Sequence, residues 1–507
     1  MSRKLVFILV LVIFSNYVKA QVLPREGSAL NYRLIGFTFA AMPKAVEYKI
    51  EIASGNYYNE DSFKKNIVTS AESKSNRIIS EVPAFGIKYT WRIVYKSSKT
   101  SIKSSKLYHF STLTNEHVDT TKLRLKILQP PAEQYKDYYV SVDGGGVLYD
   151  MTGKPVWFIP DTNGIGGFVG ALKFTPEGTI TFWYGNKNCE INYNADILWQ
   201  TPKDALLSGN TVAGELYHHE FTKLSNGHYM TLGTQILMSK QIITKDSSYF
   251  ITSKDGQEQN GYKPGKFGTI IEYDAKGNIV WSWKSLDYLH HSDFNYFKGI
   301  DSNLRFDAHD NAFYFDEKNN CIYLGFRNLN RIIAIDYPSG KVLRTYGENF
   351  KPGSPRGIGT GLFCNQHSIG RTQDGDLIIF NNNSCCNIDS LPTVIILREP
   401  VSAGDTLKKI WEYTCTIDGD FPLNTRKVFS SGGDAIELTD RSIFVCMGSN
   451  YGKSFIINRE KKILWSGLPQ RYMEPDQKWT TIHEYRANII SRTDLEGLIW
   501  NAEKRGN

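Results

Sequence analysis

The sequence predicts an all-β protein, a six-bladed β-propeller preceded by a small N-terminal β-sandwich. A closing hairpin recurs six times from residue 148 onward, a second hairpin precedes most of the copies, and a run of short alternating strands comes before them all.

The first twenty residues, MSRKLVFILVLVIFSNYVKA, have a basic start, an apolar stretch from Leu5 to Phe14 and a small residue at Ala20. That is the form of a secretory signal peptide over 1–20, so the chain is expected in the periplasm or outside the cell. The apolar run is well short of the roughly 20 residues a bilayer span needs, and no later stretch could span one.

Between about 27 and 115 come FTFAAM, VEYKIEIAS, RIISEV, KYTWRIVYK and LYHFSTL, five alternating runs that suit a sandwich of fibronectin or immunoglobulin type. The polar NEHVDTT, at about 116 to 122, reads as a linker. The propeller is expected over 123–495.

Its closing hairpins are LYDMTGKPVWFI (148 to 159), EINYNADILWQT (190 to 201), IIEYDAKGNIVWSWK (270 to 284), IIAIDYPSGKVLRTYG (332 to 347), VIILREP with LKKIWEY (394 to 413) and FIINREKKILWSG (455 to 467). Their tryptophans, such as Trp157, Trp283 and Trp465, are expected to pack between blades. The opening hairpins are GALKFTPEGTITFW, HEFTKLSNGHYMTL, HDNAFYFDEKNNCIYLGF, HSIGRTQDGDLIIF and GDAIELTDRSIFVC. Two hairpins give the four strands of one blade. The segment TTIHEYRANIIS (480 to 491) lacks a closing hairpin and 138 to 150 lacks an opening one, so pairing them would complete the ring and remove both sheet edges. The insertion at 236 to 268, rich in Lys, Gly, Ser and Gln, is expected to be an exposed loop.

Counting back eight residues from Gly178, Gly227, Gly375 and Arg441 reaches Gly170, His219, His367 and Gly433; the same count from Asn319 reaches Asn311, two residues after His309. Innermost strands line a propeller's channel, so these positions face one another across it. Three imidazoles then share the channel, with the small residues leaving room. Strand alternation sends one of His218 and His219 to the channel and the other into the blade, and the count favours His219. Arg327 closes the strand pair that begins at His309. His290, His291 and His483 read as rim or structural residues.

The formal charge of +7 falls to +4 once three basic residues leave with the signal, which is only weakly basic over almost 490 residues. No Lys/Arg-dense stripe suggests nucleic acid. Seven cysteines leave at least one unpaired within the chain, and export permits disulfides. Adjacent Cys385 and Cys386 are open to pairing elsewhere, with Cys364 one candidate. No spaced CxxC pair suggests zinc, and no Gly-rich phosphate loop suggests a nucleotide donor.

From about 130 to 490 the chain resembles the bacterial aryl-sulfate sulfotransferase family. HHEFTKLSNGHYMTL, DAHDNAFYFDEKNNCIYLGFRN, NQHSIGRTQDGDLIIFNN and YRANI match its pattern in order. The most specific elements are His309-x-Asn311 followed by Arg327, and Gln366-His367. The resemblance implies a nucleotide-independent, cofactor-free transfer of a sulfuryl group from a phenolic sulfate ester to a phenolic acceptor, and it suggests a homodimer. Carried over by position, His367 is the nucleophile that becomes sulfated in a ping-pong mechanism. His219, His309 and Arg327 surround the sulfuryl oxygens, and Asn311, His218, Ser430 and Ser431 are substrate-binding. The serines stand loosely where the family has a threonine pair.

A neutral imidazole is a competent nucleophile near neutral pH, and a covalent intermediate splits one difficult transfer into two easier steps. Two other classes remain open on the residues alone. Three histidines could hold a divalent metal for hydrolysis or elimination on a polyanionic saccharide, though the nearby arginine opposes a cation and only Asp310 or Glu220 offers a carboxylate. A non-catalytic propeller could instead bind a glycan or protein through its rim.

Overall fold

The computed structural model describes residues 22–97, 101–161, 168–202, 211–243, 248–252, 263–290, 292–293, 306–349, 359–384, 391–402, 404–417, 431–448 and 452–505. The chain is all-β and divides into two units at Leu113/Thr114.

The N-terminal unit is two sheets around one apolar core. Strands Ser28–Leu30, Tyr108–Thr112, Lys88–Lys96, Glu47–Ser54 and Ile67–Ser73 form one sheet in that order, with Ile102–Ser104 also on Lys88–Lys96. Leu34–Thr38 pairs with Arg77–Glu81 in the other. Alternation puts Ile50 and Ile52 from the larger sheet against Phe37 and Ile78 from the smaller, with Trp91 between them in the same cluster. The edge strand Ile67–Ser73, IVTSAES, escapes the sequence reading because it presents hardly any apolar residues to alternate.

The second unit holds six sheets built on four strands each. Each blade from the second to the sixth starts with its inner strand: Val169–Phe174, Thr211–Lys223, Asp310–Asp316, His367–Arg371 and Asp434–Glu437. The first blade takes its inner strand from the far end of the chain. Tyr138–Val142 pairs antiparallel with Ala487–Ser491, from Tyr138↔Ser491 to Val142↔Ala487. The ring closes as the unpaired sequence segments suggest, and both raw edges disappear. The last blade also gains Leu123–Gln129, paired along Ile463–Met473.

Aliphatic second and third strands fill the space between blades, as where Ile322 and Ile333 meet Met230 and Ile270, or Ile379 and Ile395 meet Tyr323 and Ile332. Tryptophans of the closing hairpins then fasten each of four blades to the next. Trp157 Nε1 donates to the carbonyl of Tyr193 at 2.7 Å, Trp283 to Gly340 at 3.1 Å, Trp411 to Arg459 at 2.9 Å and Trp465 to Met151 at 3.0 Å. Buried indole N–H groups need such partners.

One expectation fails. Residues 236 to 268 are not simply a loop, since Tyr229–Ile243 and Lys263–Tyr273 pair without a break from Tyr229↔Tyr273 to Ser239↔Lys263, and Ser248–Thr252 adds to the same sheet. The blade hairpin is lengthened, and its polar composition reflects a ladder that extends past the blade core. Residues 244–247 and 253–262 lie outside the described residues.

Candidate active site in the propeller channel

The inner strands are not regular where the histidines lie. Register shifts fall between Gly170 and Lys173, Tyr217 and Phe221, Asp310 and Ala312, and His367 and Ile369. Bulges of this kind re-aim side chains and recur beside functional sites. His219 and His309 adopt left-handed backbone, φ 61° and 56°, and Ser368 beside His367 does so at 46°. Such a conformation costs on the order of 1 kcal/mol or more at a non-glycine residue and has to be held by its surroundings. His219 and His367 share one counted position, yet the left-handed residue is His219 itself in one strand and the neighbour Ser368 in the other.

Ring centroids of His219 and His309 are 5.4 Å apart, and Tyr485 lies 5.4 Å from His219 and 6.1 Å from His367. Two imidazoles, His219 and His367, therefore flank the phenol of Tyr485, and the third, His309, packs against His219. His219, rather than His218, is the member that meets His309 and Tyr485. His218 lies behind it, with Nδ1 against Nδ1 of His219 and Nε2 against Oγ1 of Thr234.

Nδ1 of His367 lies 2.7 Å from Oδ1 of Asn382, and Nδ2 of Asn382 donates to the carbonyl of Gly432 at 3.0 Å. The second bond fixes which end of the amide is oxygen, so His367 must donate from Nδ1 and carry its lone pair on Nε2. Burial holds the His367 ring well below the usual histidine range, and the Arg327 guanidinium adds to the effect. A neutral imidazole with a free Nε2 is the nucleophilic form.

Arg327 begins the turn after Cys321–Phe326, and its backbone N–H donates to the carbonyl of His309 at 2.9 Å. Its Nη1 donates to Oδ1 of Asn328 at 2.8 Å. Burial pushes its pKa down while nearby Tyr485 and Asp307 raise it, so the cation sits among the site's own groups. Asp307 accepts from the backbone N–H of His309 at 2.9 Å, and its other oxygen is 3.8 Å from Nδ1 of that ring.

Asn311 is fully buried and its Nδ2 donates to the carbonyl of Gln366 at 2.8 Å, joining the fourth and fifth blades. Gln366 in turn donates to the carbonyl of Arg331 at 3.0 Å. Ser431 precedes the Gly432 that receives Asn382, whereas Ser430 lies outside the described residues. The room expected beside Gly170 and Gly433 is taken, because a Cβ at these two residues would strike the rings of Trp183 and Phe380. His290 bonds within its own turn to Ser292, His483 is exposed near the ring-closing strand, and His291, Cys385 and Cys386 lie outside the described residues. Cys189, Cys321, Cys415 and Cys446 are free thiols.

Below the imidazoles lies a buried ionic cluster. Arg486 donates from Nη1 to both oxygens of Glu220, at 2.6 and 2.7 Å, and Lys173 reaches Glu220 at 2.6 Å. The backbone N–H of Arg486 donates to Asp143 at 3.0 Å, and burial lifts that carboxyl to about 7. Burial also raises Glu220, but Arg486 and Lys173 outweigh it and hold the carboxylate below its usual range. Glu220 is thus turned onto Arg486 instead of the imidazoles, and Asp310 packs against the backbone of Gly268. Among the described residues no three His, Cys, Asp or Glu side chains gather as a metal site.

Tyr485, Arg486, Asn382, Asp307 and Thr234 were missed by the sequence reading as site residues. The first four stand in the quoted stretches YRANI, IIFNN and DAHDN, but a tyrosine, asparagine or aspartate at a strand end carries no repeat signal of its own.

Bulged inner strands bring three imidazoles and a guanidinium together at the channel side of a six-bladed propeller. The chain belongs to the arylsulfotransferase (ASST) family, whose model matches residues 110–393, more than half of the sequence. It is a sulfotransferase. The match includes His219, His309, Arg327, His367 and Asn382, while Tyr485 and Arg486 lie beyond it. A search of curated proteins finds no match.

Solved structures similar to the chain include a protein of unknown function from Bacteroides caccae, with TM-score 0.39 and 15% identity over 65% of this chain and 93% of that one. A putative 6-phosphogluconolactonase from Bacteroides fragilis has TM-score 0.32 and 11% identity, over 89% and 100% of the two chains. The Cps50 (Swd1) β-propeller domain of Myceliophteria thermophila has TM-score 0.31 and 9% identity, over 59% and 85%. Likenesses this weak carry no argument about activity.

Proposed function

We propose that the protein moves a sulfuryl group from a phenolic sulfate ester to a phenolic acceptor through a sulfated His367. The observation that carries this reading is the Asn382 bond, which fixes the His367 proton on Nδ1 and leaves Nε2 as the attacking atom. In the first half-reaction Nε2 of His367 bonds to sulfur as the sulfur–phenol oxygen bond breaks. The departing phenolate takes a proton from His309, whose Nδ1 lies 3.8 Å from a carboxylate oxygen of Asp307. Arg327 and His219 stabilise the charge on the sulfuryl oxygens in a site shielded from water. In the second half-reaction the acceptor's oxygen attacks sulfur, the nitrogen–sulfur bond breaks and His309 recovers its proton from the acceptor. The two half-reactions share one site, giving ping-pong kinetics.

Both substrates are small phenols, and the basic-apolar N-terminus supports export to the periplasm or beyond. Dimerisation belongs to the same reading, and light scattering tests it. The decisive experiment incubates the protein with a chromogenic aryl sulfate and then measures intact mass. Phenol release and an adduct of sulfuryl mass, both lost in His367→Ala, are expected. Absence of both from the unaltered protein would overturn the proposal.

A further inference from the structure

His218 and His219 face each other through like atoms, Nδ1 to Nδ1, so one ring must donate and the other accept. On its far side, Nε2 of His218 contacts Oγ1 of Thr234, a buried residue of the neighbouring strand Tyr229–Ile243 opposite Leu216. Burial, then the neighbouring His309, pushes His218 down to about 3; burial, then His218, holds His219 well below the usual range. Both rings are therefore neutral, each with one N–H and one lone pair.

That leaves the chain of three residues only two states. If the Thr234 hydroxyl donates to Nε2 of His218, then His218 donates from Nδ1 and His219 accepts at Nδ1, carrying its own proton on Nε2. If Thr234 accepts, every bond reverses and His219 presents a lone pair at Nε2. Nε2 is the ring's only other polar atom, and the ring also packs edge-to-face on His309 and Tyr485, both at 5.4 Å, with His367 and Arg486 close enough to act on its charge. Anionic oxygens in that space are held by an N–H and repelled by a lone pair.

We propose that Thr234 and His218 are positioning residues that hold His219 as an Nε2–H donor toward anionic oxygens in the channel. The identity of those oxygens, as sulfuryl oxygens, rests on the function proposed above; the donor chain itself does not. Through this chain a residue that never touches substrate sets the polarity of one that does.

The test uses the full chain labelled with ¹⁵N in its histidine rings, with long-range proton–nitrogen spectra near neutral pH and His219→Ala to assign the signals. His219 is expected as the Nε2–H tautomer and His218 as the Nδ1–H tautomer. Thr234→Ser should preserve both, whereas Thr234→Val should redistribute them. In aryl-sulfate turnover, Thr234→Val should lower kcat/KM by roughly tenfold to a hundredfold, the usual scale for losing a partner that orients a site residue. Thr234→Ser should restore it, and Thr234→Val should add nothing in a His219→Ala background. A His219 proton on Nδ1 in the unaltered protein, or tautomers unmoved by Thr234→Val, overturns the inference. Tautomers as expected with no phenol released would remove the sulfuryl reading and leave the donor chain standing.

Discussion

His367 donates its Nδ1 proton to Oδ1 of Asn382 at 2.7 Å, so the nitrogen that carries the ring's lone pair is chosen by a residue fifteen positions later on the far side of a hairpin. Asn382→Leu keeps the volume and removes the acceptor. We expect single-turnover sulfuryl transfer to fall roughly tenfold to a hundredfold. Circular dichroism should stay native, with stability reduced by about 1–3 kcal/mol because the Gly432 carbonyl and the ring lose their partner. Unchanged transfer by stopped-flow would remove Asn382 from the mechanism.

The depressed pKa of His367 has a kinetic sign. Burial first, and Arg327 second, keep the ring unprotonated below the pH at which an ordinary imidazole, near about 6.5, would lose its nucleophilic form. The acid limb of kcat/KM assigned to this group should therefore lie below that value. Arg327→Gln removes a positive neighbour, which raises the ring's pKa and moves the limb to higher pH, alongside a loss of roughly 100-fold or more in rate. A limb that stays in place would show that Arg327 does not act on His367.

Glu484 is a buried carboxyl whose pKa burial pushes well above the usual range, with Asp143 adding to the rise. A raised carboxyl keeps in the folded chain a proton that the unfolded chain releases near about pH 4.3. Its contribution to stability is full below that pH and is lost as pH rises through the folded value. Glu484→Gln removes the penalty, so thermal melts should show the variant gaining on the parent protein as pH rises from acidic to alkaline. A constant difference across the range would contradict the assignment.

Arg486 and Glu220 form a buried pair in which removing one partner strands the other. Arg486→Met should cost about 3–5 kcal/mol in chemical denaturation. The double variant Arg486→Met with Glu220→Gln should recover a large part of that loss, since no charge is then left unpaired. Additive losses would argue against direct coupling.

The ring was legible in the sequence because each blade repeats the same hairpins, and the pairing of 138 to 150 with 480 to 491 follows from two half-blades that need each other. His219 and His367 could be found because they share a position in that repeat, and His309 because it stands two residues before the equivalent Asn311. Their partners could not. Asp307, Asn382 and Thr234 act through tertiary contacts across bulges, where counting residues no longer says which way a side chain points. The hairpin at 236 to 268 misled for a related reason: its base carries core residues such as Leu237 and Phe267, but the Lys, Gly, Ser and Gln of the extension beyond them hide the pairing.

The closing strand also sets an order of events during synthesis. Asp143 and Arg486 meet across 343 residues of chain, and Tyr485, between the imidazoles, travels with Arg486. While the chain is still being made, five blades' worth of sequence can exist with His367 present but its surroundings unfinished. The assembled site therefore arrives late and all at once, when the last inner strand docks.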